Sequence, residues 1–256
     1  MFVRRMLMLL VLLSSLAALG CSDYRVRFLY PRENRGDFFS ERPEYALYVA
    51  EPEDLRPSVE RQGRGFIHTL HFPADDKLDQ PAVQIVRRAL LQDLGQTRVA
   101  SLVQNPNNAD YVLDSELLSM TTQLSRPIGA WAIPVATGVA IGALASVGSD
   151  GGLSHAVKVG LVGAVLGLFI PAPADTRAQV ELRLSLKEQT TGAEVWSTTC
   201  EGVYQKTLRL SLSAREDQKI AEEFLPLALK RANACAVGQL YAFLQEHQTD
   251  LPEVGR

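Results

Sequence analysis

The feature that most constrains this sequence is a long uncharged stretch in its middle. Residues 128–147 contain no charged side chain and, after a glycine-rich break, residues 159–174 contain none either. Two such arms predict a helical hairpin over 128–174 that is long enough to meet a membrane, because about 20 apolar residues span a hydrocarbon core. A hairpin buried between subunits would better accommodate His155 and Lys158, whereas an amphipathic surface hairpin would need a wider polar face.

Small residues recur at four-residue spacing in both arms of this hairpin. Such rows let helix backbones approach closely where lipid offers no hydrophobic drive for association. In a soluble helix, each glycine would instead cost about 0.5–1 kcal/mol relative to alanine. We therefore expect tight helix packing and self-association into a homo-oligomer through these rows. The predicted packing residues are Gly138, Gly142 and Ser146 in the first arm and Gly160, Gly163 and Gly167 in the second.

The N-terminus has the layout of a secretory signal peptide over residues 1–20, with two arginines, an apolar run and small residues before Cys21. The Ala-Leu-Gly-Cys junction also resembles a bacterial lipobox, in which the cysteine thiol accepts a diacylglycerol before cleavage. Cys21 is therefore the predicted lipidation site, and membrane lipid the predicted partner; the alternative is a plain secreted protein with a free thiol. Ser22 after the cysteine, by analogy with enterobacterial sorting, indicates a lipid-anchored protein of the outer membrane.

Composition limits the remaining partners. The chain of 256 residues has a formal net charge of −3 and a pI near 5.9, which gives no reason to expect nucleic acid. Of its three cysteines, Cys200 and Cys235 remain once Cys21 is lipidated. In an oxidising compartment they form either one disulfide or two buried thiols on different elements. They are too few for a thiol-rich zinc site.

The first part of the chain predicts a tether followed by a folded body. Residues 21–64 mix charges with four prolines and predict an irregular segment with short strands at Tyr24–Tyr30 and Tyr45–Ala50. Residues 65–127 predict the first part of the body, in the order strand, helix, strand, strand. The helix is expected to end at Gly95, because glycine is common just after a helix.

The second part of the body is predicted over 175–248. Strict alternation of apolar and polar residues, a turn and a return strand predict a β hairpin. A long helix follows, kinked or split at Pro226, and residues 249–256 read as a frayed C-terminus. The predicted fold class is α+β: a small antiparallel or mixed sheet with packed helices, into which the glycine-rich hydrophobic hairpin is inserted.

Little in the sequence indicates catalysis. The motifs of common hydrolases, zinc enzymes, phosphate-binding loops and dinucleotide folds are absent. His68 and His71 face opposite ways on a predicted strand, so they do not predict a shared metal. Asp114 and Glu116 share a strand face and could perform acid–base work, although such residues are more often the solvated face of a sheet. We therefore predict a protein that is not an enzyme, with no catalytic residue, cofactor or metal.

The order of elements resembles that of the TraT-type outer-membrane lipoproteins, the surface-exclusion and complement-resistance family. The resemblance rests on the lipobox, the turn and strand at Asn108–Asp114, the glycine-rich hairpin, and the strands and helix after it. It implies oligomeric rings in the outer membrane and a structural or interaction role at the cell envelope. The turn at Thr191–Ser197 also resembles one in other periplasm-facing lipoproteins, including auxiliary components of ABC-type lipid transport. The alternative is thus an auxiliary lipoprotein of an envelope transport or export machine, with an envelope protein as partner.

Overall fold

The computed structural model describes residues 25–32, 45–63, 65–66, 69–125, 136–137, 139–140, 172–210 and 214–249. Cys21 and all six predicted packing residues lie outside these ranges, as does nearly all of the predicted hairpin. One boundary of that hairpin is wrong. The sequence predicts that it reaches Ala174, but a strand begins at Ala172, because the period-two pattern of the following strand extends further towards the N-terminus.

The body is an α+β fold, as the sequence predicts. Strands β1 (Ala46–Val49) and β2 (Glu53–Asp54) precede helix α1 (Ser58–Gln62), and β3 (Gly65–Phe66) and β4 (Thr69–Phe72) precede helix α2 (Ala82–Thr97). Strands β5 (Ser101–Leu102), β6 (Tyr111–Ser125), β7 (Ala172–Glu188) and β8 (Glu194–Leu210) precede helix α3 (Ala214–Thr249).

Strand β6 is the centre of a mixed sheet that has eight strands within the described residues. Along one edge, β6 pairs with β7 in antiparallel register over its whole length. Along its other edge it meets three short strands in succession, of which β1 and β2 are parallel to it and β4 is antiparallel. Strand β8 flanks β7, β5 flanks β1, and β3 flanks β4.

A bulge in β6 keeps one face of the sheet apolar from end to end. The register with β7 shifts between Leu117 and Ser119. Before the shift, Leu113 and Leu117 are buried, and after it Met120 and Leu124 are buried. Without the extra residue, the alternation of a strand would turn the second half of β6 to the opposite face.

Helices α2 and α3 supply the apolar layer that packs on this face of the sheet. A fully buried leucine or phenylalanine side chain contributes about 1.5–3 kcal/mol relative to an exposed one, so this contact between layers is the main source of stability. The buried apolar side chains include Ile85, Val86, Leu90 and Leu94 of α2, Leu182, Leu184 and Leu186 of β7, and Phe224, Leu225, Leu240 and Leu244 of α3.

Helix α2 differs from the prediction at its end. Helix α2 continues through Gly95 and ends where Arg98 adopts a left-handed φ of 57°. Thr97 Oγ1 donates to the Asp93 carbonyl at 2.7 Å, and the Arg98 N–H donates to the Leu94 carbonyl at 3.1 Å, so the helix end needs no glycine. Helix α3 is not split at Pro226, because buried apolar residues before and after the proline fix both halves on the sheet.

The segment Tyr24–Tyr30, which the sequence predicts as a strand, does not form one in its described part. Among residues 25–32, only Val26 forms a bridge, with Leu78. Its backbone N–H donates to the Lys77 carbonyl at 2.7 Å, and its carbonyl accepts from the Asp79 N–H at 3.1 Å. The segment is extended, but it packs against helices instead of joining the sheet.

The described residues divide between two compact units. The larger unit consists of the described parts of Val26–Ser125, Asp175–Lys206 and Ile220–Arg256, and it contains the sheet core. The second unit includes Arg25, Ala172–Ala174 and Thr207–Lys219, as far as these are described. Within the second unit, Gln218 Nε2 donates to the Arg25 carbonyl at 2.9 Å.

Candidate functional site

The place where the central uncharged stretch enters the fold is well defined. In the antiparallel pair of β6 and β7, Ser125 lies opposite Asp175. Residues 126–171 are therefore the connection between two neighbouring strands of one sheet. The glycine rows within this connection remain a prediction, because none of their residues is described.

The structure joins Cys200 of β8 to Cys235 of α3 in a disulfide, with Cα atoms 5.9 Å apart. Gln239 Nε2 lies 3.3 Å from the sulfur of Cys235 and 3.7 Å from that of Cys200, and Thr198 donates to the Gln239 carbonyl oxygen. The cysteines are 35 residues apart in the chain, so a loop-closure model gives the bond about 4 kcal/mol of stabilisation. The bond ties the last strand of the sheet to the helix that covers it.

Strand β8 and helix α3 approach each other closely at Gly202. A Cβ at this position would lie 1.9 Å from the Ala228 carbonyl oxygen and 2.5 Å from the Ala232 nitrogen. On either side of this contact, Trp196 packs against Phe243 and Tyr204 against Phe224, with ring centroids 6.0 and 4.7 Å apart. The sequence places Trp196, Thr198, Cys200 and Tyr204 on one side of the strand, and these contacts show that this side faces α3.

The outer edge of β8 is partly covered by α3. Arg231 donates to the Val203 carbonyl and lies 5.2 Å from the centroid of the Tyr204 ring. An edge strand exposes backbone groups that could pair with another chain, and a long cationic side chain is a common way of covering them. This contact leaves the Glu194–Glu201 part of β8 without a described strand partner on that side.

Asp114 and Glu116 lie on the polar face of the sheet and are both in ion pairs. Asp114 Oδ2 is 2.7 Å from Lys187 Nζ, and Glu116 Oε2 is 2.9 Å from Arg183 Nη1. The hydrogen bond to Asp114, together with its negative charge, raises the pKa of Lys187. Both pairs are solvent-exposed, which is the arrangement of a solvated sheet face. Among the described residues, no group of His, Cys, Asp and Glu side chains could hold a metal ion.

A buried polar cluster between α2 and α3 is absent from the sequence-based prediction. The Tyr30 hydroxyl donates to Asp93, which also accepts from Lys230. Asn233 Nδ2 is 3.0 Å from the Tyr30 oxygen, and the Lys230 ammonium lies 5.0 Å from the centre of the tyrosine ring. Burial and, after it, the negative charge of Asp93 raise the pKa of Tyr30 well above its usual value. The only sequence signal is Asp93 itself, an acid beside Leu94 on the apolar side of α2.

The bulge in β6 is held by a side chain from helix α1. Glu60 accepts a hydrogen bond from the Ser119 hydroxyl at 2.9 Å and from the Met120 N–H at 3.0 Å. The register shift of β6 falls between Leu117 and Ser119, so the carboxylate binds at the irregular part of the strand. Nothing in the sequence around Glu60 predicts this long-range contact.

A buried arginine links β2 to the loop before α2. Arg56 binds Asp54 through two nitrogen atoms at 2.9 and 2.8 Å, and Asp75 at 2.8 Å. Partial burial alone would raise the pKa of the Asp54 carboxyl, but the hydrogen bonds and charge of Arg56 lower it overall. For Arg56, burial acts to lower the pKa, and the two carboxylates outweigh it and raise the pKa. Through these ion pairs, Arg56 connects Asp54 of β2 to Asp75 in the loop before α2.

In the part of the chain that the structure describes, no helix is both long enough and apolar enough to span a bilayer.

Several solved structures superpose on this chain at low sequence identity. Protein XCC0632 from Xanthomonas campestris is 14% identical, with a TM-score of 0.41 over 88% of this chain and 96% of its own. A homolog of neuraminyllactose-binding hemagglutinin from Helicobacter pylori is 10% identical, with a TM-score of 0.43 over 89% and 100%. Lipoprotein GNA1162 from Neisseria meningitidis is 11% identical, with a TM-score of 0.24 over 81% and 99%.

No family model matches the sequence, and no curated protein does. At these identities and TM-scores, the superpositions assign neither a family nor an activity to the chain.

Proposed function

We propose that the chain is an envelope lipoprotein, held in the outer membrane by lipid on Cys21 and self-associating through the stretch 128–171. Its role is structural or interaction-based and not enzymatic, in the manner of the TraT-type lipoproteins. The main support is the pairing of Ser125 with Asp175, because it makes residues 126–171 an insertion between two neighbouring strands of one sheet. A body of this kind can present an apolar segment to lipid or to other copies without unfolding.

Two further features support export to the envelope. A lipobox-like sequence ends at Cys21. The Cys200–Cys235 disulfide is typical of proteins in oxidising compartments, where such bonds form and persist. On the polar face of the sheet, Asp114 and Glu116 each form an ion pair with a basic side chain, as expected for a surface in contact with solvent or another protein. These features support the location of the protein, and the glycine rows support its association.

Lipidation is tested by metabolic labelling with radioactive palmitate in a Gram-negative host. The wild-type chain should be labelled and should fractionate with outer membranes. The Cys21→Ser variant should lose the label and accumulate with an uncleaved signal peptide, whereas Cys235→Ser, which removes a cysteine of the disulfide, should stay labelled. Equal labelling of wild type and Cys21→Ser would contradict the anchor.

Self-association is tested by substitution within and outside a glycine row. Gly142→Leu places a large side chain in the predicted contact row and should shift detergent-extracted protein to smaller species on native gels. Ala140→Leu places the same side chain two residues away, about 200° around the helix, and should leave the oligomer intact. Gly163→Leu provides the corresponding change in the second arm. Unchanged oligomers in both glycine variants would contradict packing through these rows.

A second candidate is an auxiliary lipoprotein of an envelope transport or export machine. It is favoured by the exposed turn between β7 and β8, where Gly192 adopts a φ of 68°, and by Val195 at the start of β8, which is 40% exposed. A photo-crosslinking residue at position 195 separates the two candidates. Adducts with a different envelope protein would support the machine, and adducts only between copies of this chain would support the first proposal.

A further inference from the structure

The chain just after the proposed lipid anchor is fixed to the body. Val26 is fully buried, and its backbone N–H and carbonyl bind the backbone of Lys77 and Asp79 at 2.7 and 3.1 Å. The Arg27 N–H donates to Glu222 Oε1 on α3 at 3.1 Å. The segment Val26–Pro31, called the strap below, is therefore attached at its start to the loop before α2 and to α3.

The far end of the strap is attached to helices α2 and α3. Tyr30 donates to Asp93 of α2 and accepts from Asn233 of α3, and Gln92 Nε2 donates to the Pro31 carbonyl at 3.2 Å. Contacts at both ends leave the strap little freedom to move as a flexible linker would. Its side chains therefore keep fixed directions relative to the body.

Alternation along the strap sends one set of side chains outward. Val26 is buried and Phe28 and Tyr30 are half-buried, whereas Arg27 and Leu29 are exposed. Leu29 is 76% exposed, more than any other large apolar side chain described. Arg32, just after the strap, is exposed as well. An exposed leucine between two arginines combines apolar area with positive charge, the two features that bind a protein surface to anionic lipid.

The length of chain before the strap brings this surface near the anchor. Val26 follows Cys21 by five residues, and an extended chain spans at most about 3.5 Å per residue. The start of the strap thus lies within about 18 Å of the lipidated cysteine. The acid that faces the strap at this point is Glu222, which accepts from the Arg27 backbone and partly offsets the positive charge.

We infer that the outward side chains Arg27, Leu29 and Arg32 rest on the anionic phospholipid surface that holds the Cys21 lipid. This inference rests on the proposed lipid anchor and goes beyond it, because an anchor alone leaves the body free to rotate. The docked strap instead gives the body one preferred orientation on the bilayer, with Leu29 entering the interface.

The test uses the full lipidated chain with one added thiol, labelled with the environment-sensitive dye NBD and reconstituted on vesicles. The native cysteines do not react, since Cys21 is a thioether and the other two form a disulfide. Leu29→Cys places the dye on the strap. Leu55→Cys places it on a second exposed leucine, 46% exposed, between β2 and α1. Vesicles of phosphatidylcholine are compared with vesicles that also contain phosphatidylglycerol, and binding is measured separately by flotation.

The inference predicts that the protein floats with the vesicles and that emission at position 29 rises and shifts to the blue. The change should be larger on phosphatidylglycerol vesicles and absent at position 55. Flotation without a change at position 29, or with equal changes at both positions, would overturn the orientation and leave the anchor standing. An equal response on both vesicle types would overturn the role of the arginines. Failure to float would overturn the anchor and the inference together.

Discussion

Ser125 at the end of β6 lies opposite Asp175 near the start of β7, so the chain leaves the sheet and rejoins it at one place. An antiparallel helical hairpin also has its two ends close together, so it can be added between such strands without disturbing their register. The continuous pairing of β6 with β7, down to Tyr111 opposite Glu188, shows a sheet that is complete without the insertion. Folding of the body and association through the insertion can therefore be tested by separate substitutions.

Gly202 tests the packing of the body. Gly202→Ala should lower the free energy of unfolding by about 3 kcal/mol, because the new methyl group would meet backbone atoms of α3 that cannot rotate away. Gly238→Ala is the matched control, since a Cβ there meets nothing within 4 Å and alanine favours a helix by about 1 kcal/mol. Urea unfolding of the two variants should give opposite signs. A neutral Gly202→Ala would contradict the close contact of β8 with α3.

Tyr30 tests the attachment of the strap. Tyr30→Phe should cost about 1–2 kcal/mol, since it removes a hydrogen bond to a buried carboxylate and leaves the Asn233 amide without its partner. It should also speed cleavage by trypsin at Arg27. Tyr204→Phe, which keeps its ring contact with Phe224, should have little effect.

We also expect the effect of Tyr30→Phe on stability to depend on pH. The pKa of Tyr30 is raised above the usual value of 10.0 by burial and by Asp93. A group with a raised pKa in the folded state gives its full stabilisation below the pKa of the unfolded state, and this stabilisation falls as the pH rises above that value. The stability difference between wild type and Tyr30→Phe should therefore be constant up to about pH 9 and shrink above about pH 10. A stability difference that grows as the pH rises above about 10 would contradict a raised pKa of Tyr30 in the folded state.

Substitution of Asp114 and Glu116 tests whether this carboxylate pair takes part in catalysis. The double variant Asp114→Asn, Glu116→Gln should change the free energy of unfolding by no more than about 1 kcal/mol, because each residue takes part in one exposed ion pair. In a deletion strain, the double variant should restore the envelope phenotype as well as the wild-type chain does. Loss of the phenotype with full stability would instead indicate that this carboxylate pair acts in the function.

Local patterns predict those parts of the fold in which every residue obeys one period. The alternation from Ala178 to Leu186 predicts β7, and the structure confirms both the strand and its buried face. The sequence also places Cys200 and Tyr204 on the same side of β8. It could not fix the end of α2, where hydrogen bonds of Thr97 and Arg98 complete a turn beyond Gly95.

Contacts between distant residues are the part that sequence patterns miss. Glu60 binds the β6 bulge, and Tyr30 binds Asp93, which is 63 residues away. In each case, neither partner lies in a recognisable motif, and only the tertiary packing brings the two together. The two cysteines were the one distant pair that could be considered in advance, because few thiols remain once Cys21 is set aside.

The most direct test of the proposal is the native mass of the full chain extracted in detergent from cell envelopes. The account predicts an oligomer whose subunits lack residues 1–20 and have a diacylglycerol on Cys21, and which Gly142→Leu converts to smaller species while Ala140→Leu does not. A monomer with an unmodified Cys21 would contradict both the lipid anchor and the self-association.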